Sequence, residues 1–500
     1  MKISVTGSQM KQVDQDTING IGIPSIVLME RAALAVADAV CKIPKAGRVL
    51  IACGTGNNGA DGIAAGRILN ERGFEVTILL AGNPDCVTDE HRMQQKIAQQ
   101  LGLWVIGTDE LSEIVYEQKY DVLVDALFGI GLVRPIEGGY RRLIETLRRL
   151  FCKVVAVDIP SGIHADTGAV MGIALRADIT VTFGYLKSGL ALYPGRSYAG
   201  EVSVADIGFS YMSLNRVGFD AHVLDLSDLE QIPMRWADGN KGTFGKVLII
   251  AGSRGMSGAA YLSALAAYRT GAGLVKVLTV SENRVILQTQ LAEAIVETYE
   301  PDAVMPGGAF QEMLERQCDW ADVIVMGPGL GREPYVESLV EMVLAYSYVP
   351  MVLDADGLNA VADHPHLVRY FTENIILTPH MGEMARLTGM TVDELKADRL
   401  RAARDYSSRT GSVCVMKDAS TVIADKDGEA WLNISGCSAM AKAGSGDVLT
   451  GVIAGLLARG MDCSKAAAFG VFLHGAAGEK AAARLGENSL LARDIADHLF

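Results

Sequence analysis

The stretch Ala441-Lys442-Ala443-Gly444-Ser445-Gly446-Asp447-Val448-Leu449-Thr450-Gly451 joins a glycine turn to the start of a helix. The helix is indicated by apolar residues at helical spacing, namely Val448, Leu449, Val452, Ile453, Leu456 and Leu457. A glycine turn that opens a helix directs several backbone N–H groups, and the positive end of the helix dipole, at one point. The sequence therefore predicts an anion hole at Gly444, Ser445 and Gly446.

Asp447 lies at the edge of this predicted anion hole. A carboxylate beside a phosphate is unfavourable unless it does chemistry, such as taking a proton from an attacking hydroxyl group. We therefore expect the C-terminal half of the chain to transfer a phosphoryl group to a small-molecule alcohol.

The composition is that of a globular protein. Its 500 residues are too many for one typical core, so we expect two domains. Residues are 49% hydrophobic and 21% charged, and the 54 glycines suit an α/β protein with many tight turns. The net charge of −14 and the lack of a basic stripe disfavour nucleic acid as a partner.

The cysteines and the N-terminus indicate a cytoplasmic protein. The eight cysteines are scattered and form no CxxC pair, which is typical of free thiols in a reducing compartment. Residues 1–15 contain no apolar signal core, and no apolar run approaches the ~18 residues of a membrane span. We expect a soluble protein with no membrane partner.

Two blocks of the chain alternate short β-branched runs, glycine turns and helical patterns. This alternation predicts α/β domains, each with a mostly parallel sheet covered by helices on both faces. The opening 40 residues are expected to add one or two helices. The rhythm breaks between about 211 and 240, where 211–220 has an irregular pattern, so we place the boundary after residue 215 and expect tandem domains at 1–215 and 216–500.

The segment Gly54-Thr55-Gly56-Asn57-Asn58-Gly59-Ala60-Asp61-Gly62 follows the first predicted strand of the first block. It contains a GxGxxG match in the strand-to-helix context that binds dinucleotide phosphates. The acidic residue expected about twenty positions later is missing, because the second predicted strand ends Leu80-Ala81-Gly82. The pattern favours a dinucleotide site that does not perform standard hydride transfer. The alternative is a tight turn with capping Asn and Asp side chains.

Two aspartates end later strands of this block. Asp125 stands in Val-Asp-Ala-Leu-Phe-Gly-Ile-Gly-Leu, and Asp158 in Val-Asp-Ile-Pro-Ser-Gly. Open α/β sheets bind ligands at the carboxyl ends of their strands, although either residue could instead cap a helix. Asn58 and Asp125 offer hard oxygen ligands, which suit a simple cation better than a transition metal.

These segments, with Asp166-Thr167-Gly168, resemble the NAD(P)H-hydrate epimerase family over nearly all of residues 1–210. The resemblance implies a Rossmann-like three-layer domain that inverts the hydrated carbon of a damaged dihydronicotinamide. It implies potassium at Asn58, Asp125 and Ser161, and Asp158 as acid or base at the reacting ring. The family usually has glycine at Ala60, where a methyl group is tolerable if φ is not positive. The other implied substrate contacts are Asn57, Asn58, Gly59, Ala60, Asp61, Gly129, Ile130, Gly131, Leu132, Val133, Arg134 and Pro135.

The second block places further turns at strand exits, including Gly327-Pro328-Gly329-Leu330-Gly331 and Thr378-Pro379-His380-Met381-Gly382-Glu383. It contains no Walker A sequence, which excludes P-loop chemistry. The Ala-Gly-Ser-Gly-Asp helix start resembles ribokinase-like kinases, where an Asn-x-x-Glu segment supports magnesium near the phosphates. His380 replaces that asparagine here. A lone histidine often has only a structural hydrogen bond, but at this strand exit we favour a substrate contact.

The whole set of segments over about 235–499 resembles ADP- or ATP-dependent NAD(P)H-hydrate dehydratases, and implies a ribokinase-like three-layer domain. Asp447 would deprotonate the ring hydroxyl, and the N–H groups of Gly444 to Gly446 would stabilise the transferring phosphoryl group. Gly329 and His380 would contact the hydrate. The loop before the anion hole departs from the family and gains Lys442, which bears on nucleotide preference. The residues implied for the magnesium nucleotide, with ADP favoured over ATP, are Lys417, Asp418, Ala419, Ser420 and Thr421.

The fused order predicts a bifunctional repair enzyme that acts on the hydrates NADHX and NADPHX, and the family resemblance implies a homo-oligomer. Two alternatives are open. The second domain could be a kinase that leaves a stable phosphorylated vitamin-like alcohol, which His380 disfavours. The first domain could be a non-catalytic dinucleotide sensor, which the presence of both Asp125 and Asp158 disfavours.

Overall fold

The computed structural model describes residues 1–111 and 119–500. It divides into an N-terminal unit, Ile3–Ala221, and a C-terminal unit, His222–Phe500, which also includes Met1–Lys2. The boundary expected after residue 215 falls within a helix, Tyr211–Val217, and the units divide after Ala221. Both units alternate strands and helices around largely parallel strands, so the predicted α/β class is confirmed.

The N-terminal unit follows the predicted strand and helix rhythm. Its helices and strands are β1 (Lys2–Val5), α1 (Gly7–Gln15), α2 (Ser25–Cys41), β2 (Arg48–Cys53), α3 (Asn57–Glu71), β3 (Glu75–Leu80), α4 (Asp89–Gln100), β4 (Trp104–Gly107), β5 (Val122–Ala126), α5 (Gly138–Leu147), β6 (Lys153–Val157), β7 (Ile179–Phe183), β8 (Leu186–Lys187), α6 (Ser188–Ala191), α7 (Gly195–Ala199), β9 (Glu201–Ala205) and α8 (Tyr211–Val217).

A parallel sheet in the order β4-β3-β2-β5-β6-β7-β9 forms the centre of this unit. Val49 and Ile51 of β2 pack on one face with α2 and α3. Leu50 of the same strand packs on the other face with Ile144 of α5. The sheet is therefore the middle of three layers. Strand order reverses between β2 and β5, which is where an open α/β sheet forms its ligand crevice.

The C-terminal unit repeats this rhythm with more helices. Its helices and strands are β10 (Ala221–Val223), β11 (Lys246–Ile250), α9 (Ser257–Thr270), β12 (Leu274–Val280), α10 (Arg284–Gln290), β13 (Ile295–Tyr299), α11 (Ala309–Trp320), β14 (Val323–Met326), α12 (Tyr335–Tyr346), β15 (Met351–Leu353), α13 (Asp356–Asp363), β16 (Ile375–Leu377), α14 (Met381–Thr388), α15 (Val392–Ala397), α16 (Arg399–Thr410), β17 (Val413–Met416), β18 (Val422–Ala424), β19 (Ala430–Leu432), α17 (Ser445–Ala458), α18 (Cys463–Leu485) and α19 (Ala492–Asp497).

Strands β13-β12-β11-β14-β15-β16-β17 of this unit are parallel neighbours in that order. Strands β18 and β19 form an antiparallel hairpin, with Ile423 opposite Trp431. Strand order reverses between β11 and β14, so the loops after β11, β14, β15, β16 and β17 meet at one edge of the sheet. The glycine turns identified in the sequence lie at this edge.

One prediction and several omissions need correction. The segment 211–220, expected to be irregular, contains α8. Ser210 caps this helix, because its side chain accepts a hydrogen bond from the Met212 amide, and Gly218 follows it at a φ of 81°. One or two helices were expected in the first 40 residues, and the structure has α1 and α2 there. Strands β1, β4, β8, β10 and β13 were not predicted, because short or partly exposed strands give little apolar pattern.

The structure also bears on two expectations that were drawn from the composition. All eight cysteines are free thiols, as predicted. In the part of the chain described, 1–111 and 119–500, no helix has both the length and the apolar character needed to cross a bilayer.

Helix α17, which begins at the predicted anion hole, packs closely against α9. A Cβ atom at Gly451 would clash with the carbonyl oxygen of Ser263 and lie 2.7 Å from the Cβ of Ala266. The Ser263 hydroxyl donates a hydrogen bond to the carbonyl oxygen of Asp447 at 2.9 Å. Helix α9 therefore fixes the position of the first turn of α17.

We expect Gly451→Ala to destabilise the C-terminal unit by about 1–3 kcal/mol, because the added methyl group overpacks this contact. The matched control is Gly258→Ala, an exposed helical position of α9 with open space around the Cβ. It should be neutral or stabilise by up to about 1 kcal/mol. Denaturant unfolding of the two variants gives both values, and equal stability of the two would contradict the close-packing argument.

Candidate active sites

A cavity of about 590 Å³ opens in the N-terminal unit where β2, β5 and β6 end. This volume is within the range of small-molecule sites. Asn57, Asn58 and Asp61, from the first turn of α3, line the cavity, and Asp158 lines it after β6. The strand reversal therefore brings the residues of two separate sequence motifs to one crevice.

The remaining residues of the predicted dinucleotide loop lie beneath the cavity. Gly59 and Ala60 are buried within α3 and do not belong to its lining. A Cβ atom at Gly59 would clash with the carbonyl oxygen of Gly54, so the loop and the helix approach closely here. Ala60 is in the helix and is not among the residues with positive φ, so its methyl group is accommodated.

The predicted substrate-contact segment 129–135, which follows β5, lies only partly at the cavity. Gly129, Ile130, Gly131 and Leu132 line the cavity. Val133, Arg134 and Pro135 are exposed and lie outside its lining. Contacts from these last three residues to a substrate stay a prediction.

The predicted potassium ligands lie next to this segment. Asp125 has no exposed surface, and its carboxylate accepts hydrogen bonds from the Ser161 hydroxyl at 2.5 Å and the Ser161 amide at 2.8 Å. Burial raises the pKa of Asp125 to about 6, although the Ser161 hydrogen bonds lower it. Asn58 lies against Gly129, and its buried side-chain nitrogen has no hydrogen-bond partner.

Asp158 contacts a buried lysine that the sequence analysis missed. The Lys187 ammonium donates to the Asp158 carboxylate at 2.6 Å, and the side chain of Lys187 is 1% exposed. Asp158 has a φ of 66°, which is the left-handed region that aspartate enters more readily than most residues. This backbone conformation is sparsely populated, and such outliers cluster at functional sites.

A second carboxyl group in the cavity has the opposite environment. Burial, and then the nearby carboxylates of Asp158 and Asp14, raise the pKa of Asp61 well above its ordinary value. The cavity thus contains one aspartate paired with a cation and another that burial and its acidic neighbours drive towards the neutral form.

The C-terminal site is built around the start of α17. Gly444 precedes the helix at a φ of 90°, a conformation that favours glycine, and leaves the first N–H groups of the helix unpaired by side chains. Asp447 lies in this first turn. Burial and then the Asp354 carboxylate raise the pKa of Asp447 to about 6, and Lys417 opposes this.

Lys417 and Asp354 face this helix start. The Lys417 ammonium lies 2.8 Å from the carboxylate of Asp354, which is 2% exposed. A Cβ atom at Gly446 would lie 3.4 Å from the Lys417 Nζ and 3.7 Å from an Asp354 oxygen. The structure therefore brings the predicted phosphate contact Lys417 to the predicted anion hole.

His380 begins α14 and has a structural contact. Its Nδ1 accepts hydrogen bonds from the amides of Gly382 and Glu383, at 3.0 and 3.3 Å, and so caps the helix. Glu383 completes the capping box through the His380 amide, at 2.8 Å. The His380 side chain is 56% exposed, so it can also contact a ligand. Burial and then Lys417 lower its pKa.

Gly329 and Ser445 show how the remaining loops are held at this edge. Gly329, at a φ of 62°, accepts a hydrogen bond from the Ser253 amide at 2.6 Å, which joins the loops after β14 and β11. The Ser445 hydroxyl lies 3.4 Å from the Nε2 atom of His474 in α18. Burial lowers the pKa of His474 to about 4, so its ring is neutral at pH 7.

The residues of the predicted nucleotide-binding segment 417–421 differ in their burial and in their contacts. Asp418 forms an ion pair with Arg399 at 3.0 Å, and Ala419 is exposed. Ser420 and Thr421 are buried. Within this segment, only Lys417 is brought to the anion hole by a contact described above.

Sequence comparisons agree with this division of the chain. Residues 247–500 match the family model NAD(P)H-hydrate dehydratase, and residues 25–189 match the model YjeF-related protein N-terminus. The bifunctional NAD(P)H-hydrate repair enzyme Nnr of Moorella thermoacetica is 39% identical, over 99% of this chain and 95% of its own length. The chain belongs to the bifunctional NAD(P)H-hydrate repair enzymes.

Solved structures match the dehydratase part. A ribokinase-like superfamily protein from Enterococcus faecalis is 29% identical, with a TM-score of 0.50, over 56% of this chain and 94% of its own. This likeness confirms the ribokinase-like fold predicted for the C-terminal unit. The ADP/ATP-dependent NAD(P)H-hydrate dehydratase of Bacillus subtilis, co-crystallised with ATP and Mg²⁺, is 34% identical, with a TM-score of 0.45, over 53% of this chain and 91% of its own.

Three neighbours of the two repair-enzyme sites escaped the sequence analysis. Asp354 follows β15 directly, so the argument from strand ends that found Asp125 would have found it too. Lys187 is the single charge in the otherwise uncharged stretch 179–192, which was the available signal. His474 lies within the long helix α18 and gave no local signal. Lys442, expected to bear on the nucleotide, donates to the Asn488 carbonyl at 2.7 Å.

The two interpretations of His380 can be separated by substitution. Asparagine caps helices well, so His380→Asn should keep the stability, whereas His380→Ala should lose about 1 kcal/mol. If the imidazole also contacts the hydrate, His380→Asn raises the KM for the hydrate while the melting temperature stays unchanged. Steady-state kinetics with thermal unfolding measures both, and an unchanged KM would leave the cap as the only role of His380.

Proposed function

We propose that this chain repairs hydrated NADH and NADPH in two steps. The N-terminal unit interconverts the R and S hydrates, and the C-terminal unit dehydrates the S hydrate with a nucleotide. Similarity to bifunctional repair enzymes over almost the whole chain supports both activities. The observation that carries the proposal is Asp447 at the start of α17, with its raised pKa, beside the pair Lys417–Asp354.

The dehydration overcomes a poor leaving group. Asp447 takes the proton of the ring hydroxyl, and the oxygen then attacks the terminal phosphoryl group of the nucleotide, so that AMP leaves from ADP, or ADP from ATP. The N–H groups at Gly444, Ser445 and Gly446 stabilise the charge on the transferring group. Phosphate then leaves the ring carbon as the ring nitrogen forms a C=N bond, and loss of a proton from the neighbouring carbon restores NAD(P)H.

The residues around Lys417 suit a magnesium nucleotide. The carboxylates of Asp354 and Glu383 are both buried, and both interact electrostatically with Lys417. Carboxylate oxygens are ligands that Mg²⁺ prefers, so these two residues would hold the ion directly or through water. Magnesium neutralises phosphate charge when bound. Lys417 binds a phosphate oxygen as a point charge, and residues 418–421 would contact the rest of the nucleotide, for which ADP remains the favoured prediction.

The epimerisation uses the chemistry of a carbinolamine, because the hydrate carries its hydroxyl group on the carbon beside the ring nitrogen. Asp158 removes the hydroxyl proton, the C–N bond opens with its electron pair on nitrogen, and the C–O bond becomes a carbonyl. Rotation and closure on the other face return the proton and give the opposite hydrate. The cavity wall orients the ring through Asn57 and Asp61 and limits access of water.

The potassium proposal rests on the buried Asp125 carboxylate. Its described partners are the Ser161 hydroxyl and backbone amides, none of which carries a positive charge. Rotation of the Asn58 amide, whose buried nitrogen lacks a partner, would present its oxygen instead. Asn58, Asp125 and Ser161 would hold potassium, which supplies positive charge near the bound dinucleotide. Homo-oligomerisation and a cytoplasmic location stay predictions from the resemblance and the composition.

We expect Asp447→Asn to lower dehydration of the S hydrate by at least about 100-fold, since it removes the base. Wild-type dehydration should rise with pH through about 6, because Asp447 acts only when deprotonated and its pKa is raised to about 6. Recovery of absorbance at 340 nm from the S hydrate with ADP or ATP and Mg²⁺ measures both. Epimerisation by the same variant is the control and should persist, and full dehydration by Asp447→Asn would reject the assignment.

Potassium should raise the melting temperature of the N-terminal unit relative to choline at equal ionic strength, because an ion that binds only the folded state stabilises it. Ser161→Ala removes one ligand and should lose most of this shift. Differential scanning calorimetry in the two salts measures the effect without an activity assay. Identical melting of the wild type in both salts would remove potassium from the proposal.

A further inference from the structure

Lys187 is a buried cation to which the proposed reaction assigns no role. It ends β8 with no exposed surface, and its ammonium donates to the Asp158 carboxylate at 2.6 Å, the Thr182 hydroxyl at 3.0 Å and the Phe183 carbonyl at 2.8 Å. All three N–H groups of an ammonium are therefore satisfied. Burial lowers the pKa of Lys187, and Asp158 opposes this shift.

The pair is asymmetric with respect to the cavity. The Asp158 side chain is 10% exposed and that of Lys187 only 1%, so the lysine lies behind the aspartate. Asp158 also accepts hydrogen bonds from the Thr182 hydroxyl at 3.0 Å and the Phe183 amide at 3.4 Å. The carboxylate is therefore the more accessible of the two groups, although Lys187 also belongs to the cavity lining.

Other acidic groups face this region from neighbouring elements. Asp61 of α3 interacts electrostatically with Asp158, and Asp14 and Glu90 line the same cavity, whose lining also includes Lys11 and Lys187. Burial and the acidic neighbours raise the pKa of Asp61. A carboxylate at position 158 would therefore face low dielectric and like charge without a cation of its own.

Stability alone does not account for such a pair. Taking a carboxylate and an ammonium out of water costs several kcal/mol per ion, and apolar side chains of similar size often replace a buried pair without loss of stability. The local backbone is held by other contacts. Val5 of β1 pairs with Lys187 in parallel register, the Ser188 hydroxyl donates to Asp220 at 2.6 Å, and the Gly189 amide donates to the Ala165 carbonyl at 2.7 Å.

We propose that Lys187 is a positioning residue of the epimerase, whose buried ammonium supplies the counter-charge of the Asp158 carboxylate and directs that carboxylate into the cavity. This inference rests on the proposed epimerisation, in which Asp158 removes the hydroxyl proton. Lys187 acts through Asp158 and does not touch the ring. Because all its protons are donated and its nitrogen has no free lone pair, it does not form an imine with the ring-opened aldehyde.

The test is the pH profile of epimerisation by Lys187→Met. Loss of a neighbouring opposite charge destabilises the charged form of a carboxylate by the equivalent of about 1–3 pH units. The acidic limb of kcat/KM should therefore move to higher pH by that amount. Activity at the pH of the wild-type limb should fall at least about tenfold and should recover towards wild type at high pH.

The matched control is Lys153→Met. Lys153 pairs with Asp178 at a similar distance, 2.7 Å, in the same unit, but at the surface, with side chains 60% and 38% exposed. It should leave the profile unchanged. Lys187→Gln keeps a hydrogen-bond donor but no charge, so it should shift the limb as Lys187→Met does. Ethylammonium added to Lys187→Ala should restore part of the activity. The rate at which the C-terminal unit dehydrates the S hydrate measures the concentration of active enzyme in each variant, and the epimerisation rates are divided by it.

Each outcome decides between the two proposals. An equal loss at every pH, with no shift of the limb, would make Lys187 merely structural and overturn the inference. If Asp158→Asn abolishes epimerisation while Lys187→Met retains the wild-type profile, only this inference fails. If the wild type does not epimerise, the proposed function fails. If neither single variant folds, the neutral pair Lys187→Met with Asp158→Asn decides, because its folding supports charge compensation and its failure to fold overturns the inference.

Discussion

The burial of parallel strands on both faces is the constraint on which both units depend. A strand such as β2, with Val49 and Ile51 on one face and Leu50 on the other, has no surface left for chemistry. The polar side chains of the two sites consequently lie near strand ends and in the loops that follow them. The reversals between β2 and β5, and between β11 and β14, bring the carboxyl-end loops of each sheet together.

The two sites surround the aspartate that we propose as the base in different ways. Burial, and then the neighbouring carboxylates, raise the pKa of Asp447 to about 6, and Lys417 opposes this only in part. Asp158 has an ammonium in direct contact. A base that is needed only when a magnesium nucleotide is bound can rely on that ligand for positive charge. A base in a cavity without such a ligand has to obtain its counter-charge from the protein.

Much of this was predictable from sequence, and the omissions have physical causes. Motifs at the ends of apolar strands located Asn58, Asp125, Asp158 and Asp447, because glycine turns and strand ends are local signals. Lys187 escaped because its partner is 29 residues away, and no local pattern encodes a contact across the sheet. Helix α8 escaped because it is short and largely exposed, so its apolar periodicity is weak. The capping role of His380 needed the orientation of its ring, which a sequence does not contain.

The close packing of α17 on α9 has a consequence for nucleotide choice. Gly451 and Gly455 both lie against α9, so contacts with α9 fix α17 in place beyond its N-terminal turn. In the proposed mechanism, the amides of that N-terminus form a fixed point that binds the terminal phosphoryl group of either a diphosphate or a triphosphate. If the terminal phosphoryl group binds at the same place in both nucleotides, the adenosine of the triphosphate lies further from that place than the adenosine of the diphosphate. Discrimination between the two nucleotides then depends on the distance from the N-terminus of α17 to the residues that bind the base and the ribose.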